Sequence, residues 1–240
     1  MRIPVLILLS LSLLLPAPLA LAIDSTFTFA GADGPAQTAY APEKGPGPVV
    51  ILLSGASGPN WYRSFADEVA RLGYYAVLLD GNDILTRKQD GEANLRKAIE
   101  RAQRSPHAVA GKAAVIGFSL GGGGALAHAV ALPELVSTVV AYYPSTRFVT
   151  DAGVLVKRFQ VPVLVLAGGK DTYNNCCLIE SMHAMEAAAK ELGARFELVV
   201  YPDAQHGFNL EGRNYRRDYE VDAWRRTVET LRVQQPLKAP

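Results

Sequence analysis

From residue 49 to residue 201 the chain alternates short apolar runs with segments of helical spacing, and no other feature restricts its fold as strongly. The apolar runs are VVILLS (49–54), YYAVLLD (74–80), KAAVIGF (112–118), VSTVVAYYP (136–144), VPVLVLAGG (161–169) and RFELVVY (195–201). Such continuous runs, too short for helices, read as strands buried on both faces. Between the first two, NWYRSFADEVARLG places apolar residues at 61, 65, 69 and 72 and ends on Gly73, a helical face with its stop signal. Further helices are predicted over 90–104, 119–131, 178–192 and 215–231. Strands apolar on both faces, separated by helices, specify an α/β fold: a mostly parallel sheet flanked by helices. Sheets of this kind carry their sites at the carboxyl ends of the strands. Turn-rich stretches, GADGPA and APEKGPGP, flank an expected edge strand around Gln37–Tyr40. No internal boundary interrupts the pattern, so residues 24–240 are expected to form a single domain.

The first 22 residues differ from the rest. Arg2 is followed by an aliphatic stretch from Val5 to Leu15, then by Pro16 and Pro18, then by Ala20-Leu21-Ala22. A positive start, an apolar core of about a dozen residues and a small-x-small end describe a secretory signal peptide cleaved near Ile23; a span would need about 20 apolar residues. The expected location is therefore periplasmic or extracellular, with no membrane attachment after cleavage. The chain has 24 basic and 23 acidic residues, and losing Arg2 leaves 23 of each. A neutral chain without a basic run offers nothing to nucleic acid. The two cysteines, Cys176 and Cys177, are adjacent. Neighbouring Cα atoms stand about 3.8 Å apart, below the usual disulfide range of roughly 4.4–6.8 Å, so two thiols are expected there.

The stretch VIGFSLGGGG (115–124) sets one hydroxyl among glycines directly after a strand. Gly117-Phe118-Ser119-Leu120-Gly121 matches G-x-S-x-G, in the strand–turn–helix setting that motif requires. The turn is tight enough to strain the serine backbone and lift its hydroxyl above the sheet. Glycines at 117 and 121 let strand and helix approach closely. A linker does not fit, because apolar order resumes on both sides. A phosphate loop of the Walker type needs a lysine after its last glycine, and Ala125 stands there. A dinucleotide fingerprint fits the glycine spacing loosely.

A serine nucleophile needs a base. His107 precedes the nucleophile strand, at the wrong end of the sheet. His128 is about two turns along the following helix, and His183 lies on a later helix. His206, in YPDAQHGF just after the strand 195–201, opens at the same carboxyl edge as Ser119 and is the expected base. Asp171 ends another strand between the two and is the expected acid, with a helix cap as its alternative role. Asp80 falls too early in the chain and Asp203 too close to His206. The order Ser119, Asp171, His206 is that of an α/β-hydrolase. The expected oxyanion donors are the backbone amides of Leu120 and, from LLSGASGPN, Ala56. Trp61 and Tyr62 open the next helix, at the mouth of the site or in the core. The spacing of histidines and cysteines shows no metal-ligand pattern, so no metal or other cofactor is expected.

With these residues in place, the chain from about Val49 to Leu231 resembles the dienelactone hydrolase family of the α/β-hydrolase superfamily. NWYRSFADEVARLGYYAVLLD, VIGFSLGGG, VVAYYP, VLAGGKD and YPDAQHGF fall in family order. The resemblance implies a compact hydrolase of esters or lactones without a large cap, with Asp171 and His206 at the family's acid and histidine positions. It departs at two places: the best-known members carry cysteine where this chain has Ser119, and a thiol-priming glutamate where it has Gly55. The two changes fit each other, and they point away from dienelactone itself. The segment GNDILTRKQD (81–90) is also short beside the family's substrate-contacting loop. The expected protein is an exported serine hydrolase that works through an acyl-enzyme on a small-molecule ester or lactone. The rivals are a binding protein on the same scaffold and a small serine peptidase. Oxidation at Cys176 and Cys177 is expected to shift the loop that carries Asp171.

Overall fold

The computed structural model describes residues 24–27 and 34–237; the predicted signal peptide lies outside them. One eight-stranded sheet organises the chain. Its strands are β1 (Asp24–Phe27), β2 (Gln37–Tyr40), β3 (Gly47–Leu53), β4 (Tyr75–Leu79), β5 (Ala108–Phe118), β6 (Val136–Tyr142), β7 (Val163–Gly168) and β8 (Phe196–Tyr201). They lie in the order β1-β2-β4-β3-β5-β6-β7-β8. β1 and β2 pair antiparallel and β2 runs antiparallel to β4, while every pairing from β4 to β8 is parallel. The helices are α1 (Arg63–Arg71), α2 (Gly91–Gln103), α3 (Leu120–Ala127), α4 (Ala152–Val156), α5 (Ile179–Leu192) and α6 (Arg217–Gln234).

The period of two in each strand divides the core. Val49, Ile51, Leu53, Val115 and Val165 face α2, α3, α4 and α5, while Val50, Leu52, Ile116 and Leu166 face α1 and α6. These strand residues are fully buried, as the continuous apolar runs require. After β3 the chain pairs β4 on one side of it, then crosses to place β5 on the other. The carboxyl ends of β3 and β5 therefore flank a topological switch point, where such sheets open a crevice. Among the described residues no helix is long and apolar enough to cross a membrane.

Observed strand ends fall within a residue or two of those read from the sequence, except in β5, which starts at Ala108 rather than 112. Its first residues are mostly exposed, and its register against β3 and β6 shifts where it enters the core, near Ala113. An apolar pattern cannot report a pairing made by exposed residues. The five-residue α4, capped by the Asp151 side chain on the Val154 amide, was not apparent in the sequence either.

Candidate active site

β5 runs into Phe118, fully buried, and the chain turns at Ser119 with φ 50° and ψ −113°. That conformation is costly for a residue with a side chain and persists only where its surroundings fix it. Here the Ser119 N–H donates to the Tyr142 carbonyl (3.0 Å), and the Ser119 carbonyl accepts from the Gly123 (2.9 Å) and Ser145 (2.8 Å) amides. Close approach explains the glycines on either side. A Cβ on Gly117 would stand 2.4 Å from the Gly121 carbonyl oxygen, and one on Gly121 2.3 Å from that of Leu53. Nothing larger than hydrogen fits at either position.

Ser119 Oγ lies 2.9 Å from His206 Nε2, and His206 Nδ1 lies 2.7 Å from Asp171 Oδ2. Three residues far apart in the chain thus form one hydrogen-bonded line across the carboxyl ends of β5, β7 and β8. The carboxylate can only accept, so in the neutral imidazole Nδ1 carries the proton and Nε2 accepts from the serine hydroxyl. The Asp171 side chain is wholly inaccessible and that of His206 is 14% exposed. Asp171 Oδ1 accepts the Tyr173 N–H at 3.1 Å in a local turn, but the cap of the short helix Tyr173–Asn175 is Thr172, so the capping alternative falls and the two oxygens of Asp171 serve this turn and His206. Tyr173 lies flat on the imidazole at 4.6 Å, Tyr143 meets it edge-on at 4.8 Å, and Asn214 Nδ2 donates to the His206 carbonyl.

Leu120 opens α3, where amides have no acceptor within the helix. The loop after β3 is held at successive atoms. Gly121 N–H donates to the Ser54 carbonyl (3.1 Å) and Gly58 N–H to the Gly55 carbonyl (3.1 Å). The Ser54 hydroxyl also donates to the Gly55 carbonyl (3.1 Å), and Asn82 Nδ2 donates to that of Ala56 (3.1 Å). A trans peptide sets N–H opposite C=O, so the Ala56 N–H points away from the turn that holds the Gly55 oxygen. Trp61 and Tyr62, left open by the sequence, separate cleanly: Trp61 is 58% exposed and Tyr62 is buried.

The rejected candidates sit elsewhere. The His107 carbonyl accepts from Gly47 at the amino ends of the strands. His128 caps α3 beside Gly91, and burial first, then Arg158, holds its imidazole below the ordinary value. His183 is exposed on α5 beside Glu186. Asp80 binds Asn82, and Asp203 pairs with Lys170 on the surface. A groove of about 420 Å³, lined by Thr138, Pro162, Phe196 and Arg226 among others, opens at the amino ends of β6–β8 and contains none of the three aligned residues.

The cysteines correct the expectation of two thiols: Cys176 and Cys177 are joined in a disulfide, with Cα atoms 3.8 Å apart. Two Cα atoms fixed at the trans-peptide spacing do not prevent the bond, because the ring it closes includes the intervening peptide. Their sulfurs lie within 4.8 Å of a His206 ring nitrogen. Joined as they are, they offer no thiolate to a metal ion. The Cys176 carbonyl accepts from the Thr146 amide (2.7 Å) and hydroxyl (3.2 Å), which ties the loop 169–178 to the segment after β6. The sequence carried no sign of this tie, nor of Asn82 beneath Ala56 or Tyr173 on His206, because each contact joins loops remote in the chain.

A mostly parallel sheet crossed in this order, with these loops at its carboxyl edge and no large cap among the described residues, is the α/β-hydrolase fold. Residues 82–234, well over half the chain, match the dienelactone hydrolase family. The chain belongs to that family. A relative from Methylorubrum extorquens, provisionally named a carboxymethylenebutenolidase, is 25% identical over 82% of this chain and 76% of its own length. Among solved structures, a provisionally named dienelactone hydrolase from Klebsiella pneumoniae superposes with a TM-score of 0.71 at 24% identity, covering 87% of this chain and 96% of that one. The acylaminoacyl peptidase of Pyrococcus horikoshii gives 0.75 at 15% identity over 91% of this chain and 43% of that one, a likeness of fold alone.

Proposed function

We propose that the protein is a serine hydrolase that cleaves a carboxylic ester or lactone through an acyl-enzyme. Membership of the family supports hydrolysis of ester or lactone bonds in general. The observation that carries the finer reading is the unbroken line from Ser119 Oγ through His206 to Asp171, at 2.9 and 2.7 Å. Ser119 Oγ attacks the carbonyl carbon while its proton passes to His206 Nε2. The buried Asp171 carboxylate stabilises the imidazolium so formed and fixes its orientation. The amides of Leu120 and Ala56 donate to the oxyanion of the tetrahedral intermediate. Collapse breaks the bond to the leaving oxygen, which takes the proton from His206. Water, deprotonated by the same nitrogen, then releases the acid and restores the serine. With a lactone, the leaving hydroxyl remains attached to the acyl group.

Export belongs to the same proposal and is supported by the charged, apolar and small-residue order of residues 1–22. The amino-terminal sequence of protein recovered outside the cytoplasm is expected to begin near Ile23.

The test of the chemistry is labelling of the folded protein with a fluorophosphonate, with the adduct located by mass spectrometry. A single adduct on Ser119, absent after unfolding and followed by turnover of an ester and lactone panel, is the expected result. A folded protein that takes no label overturns the serine mechanism and favours a binding role.

A further inference from the structure

We infer that Tyr62 is a positioning residue for the oxyanion loop, holding the Gly55–Ala56 turn in register with the loop that carries His206. The inference rests on the serine-hydrolase reading above. Tyr62 lies just past that turn, buried, with its ring against Phe118 at 4.5 Å. Its hydroxyl occupies the place a side chain at 55 would take. A Cβ on Gly55 would stand 2.6 Å from the Tyr62 oxygen and 3.4 Å from Ser119 Cβ. Burial pushes the phenol up to about 12, so it keeps its proton at any working pH.

The Tyr62 oxygen lies against Gly55, and after burial the groups that act on its phenol are the Gly55 backbone and then the Tyr143 side chain, so its inferred partners are the Gly55 N–H and the Tyr143 hydroxyl. The Tyr143 hydroxyl donates to Asn209 Oδ1 at 2.7 Å. Each phenol has one proton to give. Since that of Tyr143 goes to Asn209, that of Tyr62 goes to Tyr143, which leaves the Tyr62 oxygen to accept from Gly55. The result is a directed chain, Gly55 N–H to Tyr62 to Tyr143 to Asn209, in which every donor has an acceptor. It begins at the loop after β3 and ends three residues beyond His206. Tyr143 reaches its place at φ 35°, a conformation that a residue with a side chain keeps only where its surroundings fix it. Its ring also lies edge-on to His206. Together with Gly58 and Ser54 on the Gly55 carbonyl and Asn82 on that of Ala56, the Tyr62 bond fixes the peptide that presents the Ala56 amide.

The test compares the intact protein with Tyr62→Phe, Gly55→Ala and the double variant. Tyr62→Phe is expected to unfold within a few degrees of the parent and to keep KM within about threefold. Its kcat and its rate of fluorophosphonate inactivation are expected to fall about 10–100-fold, the loss seen when an oxyanion donor is misplaced. Gly55→Ala alone should fall further, because the new methyl meets the hydroxyl. In the Tyr62→Phe background the same methyl finds room, so the double variant should lose much less than the product of the single losses. Parental kcat in Tyr62→Phe, a loss carried wholly by KM, or single losses that simply multiply would each overturn the inference. Amide hydrogen exchange at Gly55, read in a Ser119→Ala protein, separates this from the hydrolase reading. Protection lost on Tyr62→Phe supports the bond whether or not the protein turns over substrate, and protection unchanged overturns it.

Discussion

Two loops that supply the aligned residues, the turn at 117–124 and the loop at 169–178, differ in how much of each is buried. The first is closed chiefly by backbone, with Ile84 and Leu85 against its last glycines. Its glycines are pressed against the carbonyls of Leu53, Ser54 and Ser145, and from Gly121 to Gly124 every residue is buried. The second is anchored by main-chain bonds at its two ends, Gly169 to Tyr201 and Lys170 to Ala204 on one side and Thr146 to Cys176 on the other, and between them presents side chains to solvent. Lys170, Thr172, Tyr173, Asn174 and Asn175 are exposed, two successive asparagines adopt positive φ (48° and 51°), and a disulfide closes the end. A turn packed against main chain tolerates no added atom, whereas the second loop should tolerate change along its exposed stretch, Thr172 to Asn175, and resist it at the carboxylate it presents.

The largest effect is expected at Ser119 itself. Ser119→Ala should leave the fold intact and reduce kcat on the order of 10⁶-fold, as loss of a nucleophile does. Next comes Gly121→Ala, which carries no reacting group. A methyl 2.3 Å from the Leu53 carbonyl oxygen and 2.5 Å from that of Ser54 forces α3 away from β3. The expected cost is about 3 kcal/mol or more, read as a fall in denaturant midpoint or as insoluble protein. If Gly121→Ala unfolds at the parental midpoint, packing against main chain does not distinguish this turn from the other loop.

On the other side of the comparison, Asp171→Asn removes the one group that loop must present. The amide keeps an oxygen for the Tyr173 N–H but can no longer accept from His206 Nδ1 as a carboxylate does. A kcat loss on the order of 10⁴-fold with an unchanged melting transition is expected. Equal losses in kcat and stability would mean that Asp171 mainly holds the loop.

The difference between the loops also decides what could be read from the sequence. Gly117, Ser119 and Gly121 are legible because tight turning leaves a local signature, one residue type at fixed spacing. The strands are legible for the same reason, since burial on both faces writes itself as an apolar run. His206 and Asp171 were found by chain order and strand ends, which the fold makes nearly local. Ser54, Tyr62, Asn82, Tyr143 and Asn209 were not assigned roles, although they hold the loop after β3 and tie it to the loop after β8. Their contacts join segments remote in the chain, 26 residues apart for Asn82 and Ala56 and 66 for Tyr143 and Asn209, and no spacing rule covers these. The disulfide is illegible for a different reason: its Cα separation is set by the peptide bond and lies below the usual disulfide range.

The smallest effect is expected from the disulfide, and it tests the comparison most finely. The bond links adjacent residues, so it closes almost no loop and restrains the unfolded chain little. The contact that ties this segment to Thr146 is made by the Cys176 carbonyl, which serine would keep. Asp171 is placed by its own bonds to Gly168, Tyr173 and His206. Replacing both residues, Cys176→Ser and Cys177→Ser, should therefore shift the melting temperature by no more than about 2 °C and lower kcat by less than about tenfold, through looser stacking of Tyr173 on His206. Reduction of the unaltered protein should do the same. A loss comparable to that of Asp171→Asn would show instead that the covalent link, not the hydrogen bonds, sets the carboxylate, and the second loop would then be as intolerant as the first.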